Sequence, residues 1–182
     1  MPASLDCDPS HSRRFWLMKT EPSECSIDDA LAAPDHKVSW FGIRNYQARN
    51  FIRDDMSVGD GVLFYHSSCA APGIIGLAKI ASSAYPDACQ FDAKSIYFDP
   101  KSSPSSPRWL AVDVEALCRL QEPIGLPLLR AEPALADMPV LRRGNRLSIT
   151  PVTPEQFFFI VRRWFGEDGR SLLTAFDAEP LS

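Results

Sequence analysis

The chain is built from short apolar runs whose period changes between one turn and the next. RFWLMK, Arg14 to Lys19, is an aromatic and apolar run closed by TEPSE, which predicts a strand that stops before Pro22. Ser26 followed by Asp29 is a capping-box pair, so a short helix is expected over residues 27–33, ended by Pro34. Val38 to Phe41 predicts a second strand that Gly42 breaks. From Tyr46 the period turns helical: Ala48, Phe51, Ile52 and Met56 follow one face, while Asn45, Arg49 and Arg53 follow another. Asn45 also stands where a helix N-cap is expected.

VLFYHS, Val62 to Ser67, and IIGLAKIAS beyond CAAPG predict a hairpin with a wide tip carrying His66, Ser67, Ser68 and Cys69. Gly73 and Gly76 mark expected bulges in its second strand. The Pro- and Ser-rich stretch from Tyr85 to Pro107 is long for a loop and aromatic enough that part of it should pack. RWLAVDVEAL predicts a strand over 108–117, LPLLRAEPALADM a proline-interrupted helical region, and RLSITPV a last strand over 146–151. Thr153, Pro154 and Gln156 supply a cap, a first-turn proline and a capping-box partner for a helix running to about Trp164 and stopping at Gly166. Strands and helices do not alternate regularly, no segment repeats, and one core is expected: an α+β fold with a small curled sheet or barrel and helices around it.

Composition narrows the class. The 182 residues are 45% hydrophobic and 23% charged, which suits one packed domain. No apolar run reaches the roughly 18 residues that span a bilayer, and the polar start, read as a loose tail over residues 1–13, lacks the order of a signal peptide. The expectation is an intracellular protein, cytoplasmic or, beside DNA, nucleoid-associated or nuclear. Five scattered cysteines without a CxxC and three dispersed histidines call for neither a disulfide framework nor a metal, and no cofactor is implied. A formal net charge of −4 argues against a generic nucleic-acid coater, but not against a protein that reads one base in a pocket. Basic residues do cluster locally: Arg44, Arg49 and Arg53; Arg142, Arg143 and Arg146; Arg162 and Arg163.

Motifs for other chemistry are missing. There is no G-x-S-x-G elbow, Walker A motif or G-x-G-x-x-G after a strand. His66 and Cys69 could form a nucleophile pair or simply be a hydrogen-bonded His near a buried thiol.

Long stretches carry a resemblance. FWLMKTEPSECSIDD, WFGIRNYQARNFIRDDMSVGDGVLFYHSSCAAPGIIGLAKI, AYPD, FDPKSSPSSPRWLAVDV and LADMPVLRRGNRLSITPVTPEQF closely resemble the EVE domain family, over Phe15 to Val161. The resemblance implies a PUA-like fold, a small bent β-barrel of about six strands with short helices at its rim. It implies a domain over residues 14–166 with a C-terminal extension over 167–182. It further implies recognition of modified bases, chiefly modified cytosines in DNA; the wider group, with PUA, ASCH and YTH domains, mostly binds RNA or modified bases. Phe41, Thr20 and Ser68 stand where the family commonly has an acidic residue, a Ser and an Asn.

A flipped-out base needs aromatic faces for stacking and fixed donors and acceptors at a rim. The expected pocket takes Trp40 as its stacking wall, by analogy with the cage tryptophan of YTH domains, with Trp16 and Trp109 as further aromatic candidates that could instead be core. Lys19, Thr20, Glu21, Gly42, Asn45, Tyr46, His66, Ser67 and Ser68 are the expected rim. Asn45 has a plain helix cap as its alternative role, and Tyr46 has packing. Arg44, Arg49, Arg143 and Arg146 are expected to hold flanking phosphates. The partner is then a nucleic acid bound by a monomer, without a membrane. Two rival readings remain, a hydrolase on the same fold and a protein-interaction module using the loop from Ser95 to Pro107.

Overall fold

The computed structural model describes residues 12–176, so the expected N-terminal tail and the last part of the C-terminal extension lie largely outside the described residues. Seven strands form one mixed sheet: β1 (Phe15–Thr20), β2 (Lys37–Trp40), β3 (Gly61–His66), β4 (Gly73–Ile80), β5 (Tyr85–Pro86), β6 (Leu110–Ile124) and β7 (Ile149–Val152). Their order is β2-β6-β4-β3-β1-β7, with β5 added to β6. β1 and β3 run parallel and every other pair is antiparallel. The sheet curls strongly. Its end strands, β2 and β7, do not pair with each other among the described residues, so the sheet is open rather than a closed barrel.

The curl has a local cause. The register shifts between Phe64 and Tyr65 on β3, opposite Ile74 to Gly76 on β4, and twice more between β4 and β6. At Gly76 a Cβ would lie 2.7 Å from the Cys118 carbonyl oxygen and from Ile27 Cδ1, so only glycine lets the chains approach there. β6 runs seven residues beyond the expected end, to Ile124. That continuation, CRLQEPI, is polar enough to be read as a loop because Arg119, Gln121 and Glu122 are exposed where the strand outruns the body of the sheet.

Both faces of β1 are buried, so its apolar run is continuous rather than alternating. Phe15 and Leu17 join Leu63, Tyr65, Leu77 and Phe157 on one side; Trp16 and Met18 join Ile27, Trp40, Ile52 and Phe64 on the other. Burying each such side chain contributes roughly 1.5–3 kcal/mol. The first side is closed by α4 (Pro154–Trp164), which carries the expected Thr153–Gln156 capping box. The second is closed by α1 (Ile27–Ala32), with the Ser26–Asp29 box, and by α2 (Tyr46–Asn50), which continues as a single π-helical stretch over Phe51–Asp55. α3 (Leu126–Arg130) lies after β6. Gly166, at φ +58°, ends α4 as expected, and a further helix, α5 (Gly166–Leu173), starts there. Leu173 and Phe176 pack with Phe15 and Phe157, so this part of the extension shares the same core. β7 starts three residues later than expected, because Asn145 uses its side chain on Pro139 O and on the Leu147 N–H to build a turn there.

Candidate nucleic-acid interface

β1 and β2 both end at one side of the sheet, and the chain that leaves them encloses a cavity of about 50 Å³. Lys19 and Thr20 line it from the end of β1, Ser39 and Trp40 from the end of β2, Glu24 and Cys25 from the turn between β1 and α1, and Phe41 and Ile43 from the chain beyond β2. Trp40 is only 5% exposed and meets Phe64 edge-on at 5.1 Å, so the core fixes its orientation. Phe41 is 44% exposed at the rim. Lys19 is half-buried, 5.7 Å from the Tyr65 ring centroid, and has no ion pair among the described residues. Burial lowers its pKa from the ordinary lysine value. An ammonium in that setting gains from any acceptor brought to it.

The long loop between β5 and β6 braces this rim. Gly42, at φ +80°, turns the chain off β2, and the Tyr97 ring lies on it; a Cβ would come within 2.7 Å of Tyr97 Cζ. The Gly42 N–H donates to Asp87 Oδ2 at 3.0 Å, and Arg44 Nη1 donates to the same oxygen at 2.8 Å. Arg44 also donates through Nε and Nη2 to Tyr97 O, at 2.9 and 2.6 Å, and to Ile43 O at 2.8 Å. Burial pushes the Asp87 carboxyl up, but bonds from Gly42, Arg44 and Cys89 outweigh it and hold the pKa below the usual carboxylate value. Gln90, fully buried, ties the loop to β6 by donating to Asp87 O and Trp109 O and accepting from the Arg108 and Trp109 N–H groups. Tyr97 closes the rim by donating its hydroxyl to Glu24. Burial and that bond push the Tyr97 pKa up to about 12.

Of the expected pocket residues, Lys19, Thr20 and Trp40 line the cavity, and Gly42 shapes its edge. Others lie elsewhere. Trp16 is core: its indole N–H donates to buried Asp60 at 3.0 Å and its ring packs on Phe51. Trp109 is buried beneath Tyr46, with centroids 4.8 Å apart, and donates to Asp99 at 2.7 Å. Tyr46 is 52% exposed on the outer face of α2, flanked by Arg49 and Arg108. Asn45 caps α2, its oxygen accepting from the Gln47 and Ala48 N–H groups. His66 Nε2 accepts the Ile27 N–H at 3.0 Å, which ties β3 to the start of α1. Ser67 holds Thr20 O, and Ser68 occupies the hairpin tip at φ +53°. Glu21, expected at the pocket, is exposed at the exit of β1 and does not line the cavity; Glu24, which was not expected, lines it.

The phosphate candidates divide in the same way. Arg44 is fully engaged with the loop and is a brace, a correction to its expected role. Arg49 donates to Asn50 and to Arg108 O and lies 5.0 Å from the Tyr46 ring centroid. Arg143 and Arg146 are exposed and donate to no described residue. The segment carrying Arg146 runs beside the cavity, because the Lys19 N–H donates to Ser148 O at 2.7 Å. Glu24, Cys25, Ser39, Phe41, Ile43 and Tyr97 were not expected. The aromatic content of the long loop was the one signal pointing toward Tyr97.

Comparison with known proteins sets this geometry among others. The EVE domain family model matches residues 14–163. Thymocyte nuclear protein 1 of Homo sapiens is 42% identical over 163 residues, covering 80% of this chain and 72% of that protein. A crystal structure of a Pseudomonas putida protein is 45% identical with a TM-score of 0.77, covering 81% of this chain and 97% of that one. A crystal structure of human thymocyte nuclear protein 1 in complex with DNA containing 5-methylcytosine is 40% identical with a TM-score of 0.75, covering 81% of this chain and 95% of that one.

Proposed function

This chain belongs to the EVE domain family, and from that membership we propose that it binds DNA carrying a modified cytosine and takes the flipped base into the cavity at the ends of β1 and β2. The observation that carries the reading is Trp40: a buried indole, fixed by Phe64, that walls a cavity whose other lining groups include Lys19, Thr20 and Glu24. Stacking a base on such a face contributes roughly 1–3 kcal/mol, and polar groups beside it can read the base edge. The human relative solved with 5-methylcytosine DNA supports cytosine modification as the ligand class. Arg146 and Arg143 are assigned to the flanking backbone, where exposed guanidinium groups meet phosphates.

The protein is read as a binder rather than an enzyme, acting as a monomer and located where DNA is, in a nucleus or nucleoid. Support for a binder comes from His66, whose Nε2 is engaged with the Ile27 N–H and so does not serve as a base for Cys69. The test is a fluorescence anisotropy panel of duplexes that differ only in one central cytosine, unmodified, 5-methylated or 5-hydroxymethylated. A modified duplex is expected to bind at least tenfold more tightly, since one added contact in a fitted pocket is worth about 1–3 kcal/mol. Equal binding across the panel sinks the reading.

A further inference from the structure

The cavity has a second feature. Glu24 lines it, and the Glu24 side chain accepts a hydrogen bond from the Tyr97 hydroxyl. Tyr97 in turn is anchored at several points: its ring lies on Gly42, its edge faces Phe41 at a centroid distance of 6.0 Å, and its carbonyl accepts two hydrogen bonds from Arg44. An exposed glutamate on a turn would ordinarily sample many rotamers. Here one oxygen is gripped by a donor whose backbone is held by Arg44, itself in a partly buried ion pair with Asp87. Such an arrangement orients a carboxylate toward a fixed task.

An ionised carboxylate only accepts hydrogen bonds. Cytosine presents its exocyclic N4 amine as a donor where thymine presents the O4 acceptor, and 5-methylcytosine and thymine carry the same C5 methyl group. A pocket built only to fit a methylated pyrimidine would therefore admit thymine, which is abundant in all DNA. We propose that Glu24, oriented by Tyr97, accepts a hydrogen bond from the exocyclic amine of the bound base and so distinguishes a 5-methylated cytosine from thymine; this rests on the base-pocket reading above. Glu24 is then the specificity-determining residue and Tyr97 a positioning residue. Thymine at the same place would set its O4 against the carboxylate, two acceptors with no proton between them. Lys19, which also lines the cavity, complements Glu24 by donating to a ring or carbonyl acceptor of the same base.

The test uses the full chain and three labelled duplexes that differ at one central position, 5-methylcytosine, thymine or unmodified cytosine, each opposite cytosine so that every central pair is mismatched. Dissociation constants are measured for the wild type, Glu24→Gln and Tyr97→Phe, with melting curves for each. The wild type is expected to prefer 5-methylcytosine over thymine on the order of 10- to 100-fold, the range for one good base-edge contact. Glu24→Gln, whose amide can donate to O4, should bring that ratio to within about threefold. Tyr97→Phe keeps the ring on Gly42 and should narrow the ratio without lowering the melting temperature. Folded variants that both keep the wild-type ratio overturn the assignment, as does a wild type that prefers 5-methylcytosine to cytosine yet does not separate it from thymine; the base-pocket reading survives either result. A wild type with one affinity for all three duplexes overturns the base-pocket reading together with this inference.

Discussion

Arg44 Nη1 and Asp87 Oδ2 meet at 2.8 Å, and Asp87 is 1% exposed at its side chain. The same oxygen accepts the Gly42 N–H, two residues past Trp40. The pair therefore joins the turn that leaves Trp40 to the loop that carries Tyr97. Breaking one partner of a buried pair typically costs 3–5 kcal/mol, because a desolvated charge is left alone. Arg44 keeps 22% of its side-chain surface exposed, so water can partly replace it.

Arg44→Ala is accordingly expected to lower stability by roughly 2–3 kcal/mol. Acid sensitivity follows from the same pair. Asp87 has its folded-state pKa depressed, so it contributes stability that is present above the unfolded-state carboxylate value of about 4 and is lost as pH falls through the lower folded value. Urea unfolding of the wild type between pH 7 and pH 3 should show that loss. Asp87→Asn should start less stable and lose less over the same interval, and parallel curves for the two proteins would refute the assignment.

His66 makes a separate pH prediction. Its Nε2 accepts the Ile27 N–H, which requires the neutral ring, and burial lowers its pKa ahead of opposing effects from Asp28 and Asp29. A lowered histidine value contributes stability above the unfolded value of about 6.5 that is lost as pH falls through the folded value. The melting temperature of the wild type is expected to drop from pH 7.5 to pH 5 by more than that of His66→Asn, where an amide oxygen can still accept from Ile27. Equal drops would show that the ring is not the titrating group.

Much of this architecture was legible in the sequence, and the failures have a common physical origin. Caps at Ser26, Asn45 and Thr153 are local, and each is found where residue spacing put it. Trp40 was readable because a strand end, a glycine and a helix start fall within a few residues. Trp16 and Trp109 were read as further candidates that could instead be core, and the partners that hold them in the interior are remote: Asp60, 44 residues from Trp16, and Tyr46, far from Trp109 in the chain. Arg44 misled for the same reason. An arginine in a carboxylate-free run looks available for phosphate, and its partner Asp87 lies 43 residues away in a loop without periodicity. Glu24 and Tyr97 approach each other across 73 residues, a separation that no local pattern encodes.

Trp40 needs a gentle substitution, since it lines the cavity and is also buried in the core. Trp40→Ala would leave a cavity beside Phe64 and cost about 3–5 kcal/mol of stability, which would obscure any loss of binding. Trp40→Phe keeps an aromatic face and most of the volume. It is expected to retain part of the stacking and to lose about 1 kcal/mol of affinity for the modified duplex, with little change for the unmodified one. Anisotropy titration beside a melting curve separates the two effects. An unchanged preference with a lower melting temperature would assign Trp40 to packing alone.

Arg146 and Arg44 give opposite outcomes in one salt titration. Arg146 is exposed, donates to no described residue, and lies on the segment whose Ser148 carbonyl accepts from Lys19 at the cavity. Arg44 is engaged by Asp87, Tyr97 O and Ile43 O and has little left to offer a phosphate. With only a few phosphate contacts, log K is expected to fall against log salt concentration with a slope of about −2 to −4, at roughly 0.9 per contact on duplex DNA. Arg146→Ala should weaken modified and unmodified duplexes by the same factor and make the slope shallower by about 0.9. Arg44→Ala, measured well below its melting temperature, should leave the slope unchanged while eroding the preference for the modified base, because it loosens the loop carrying Tyr97. A shallower slope in Arg44→Ala would mean that its guanidinium releases Asp87 to hold DNA. A wild-type slope near −8 would mean a broad basic track, which a net charge of −4 makes hard to assemble.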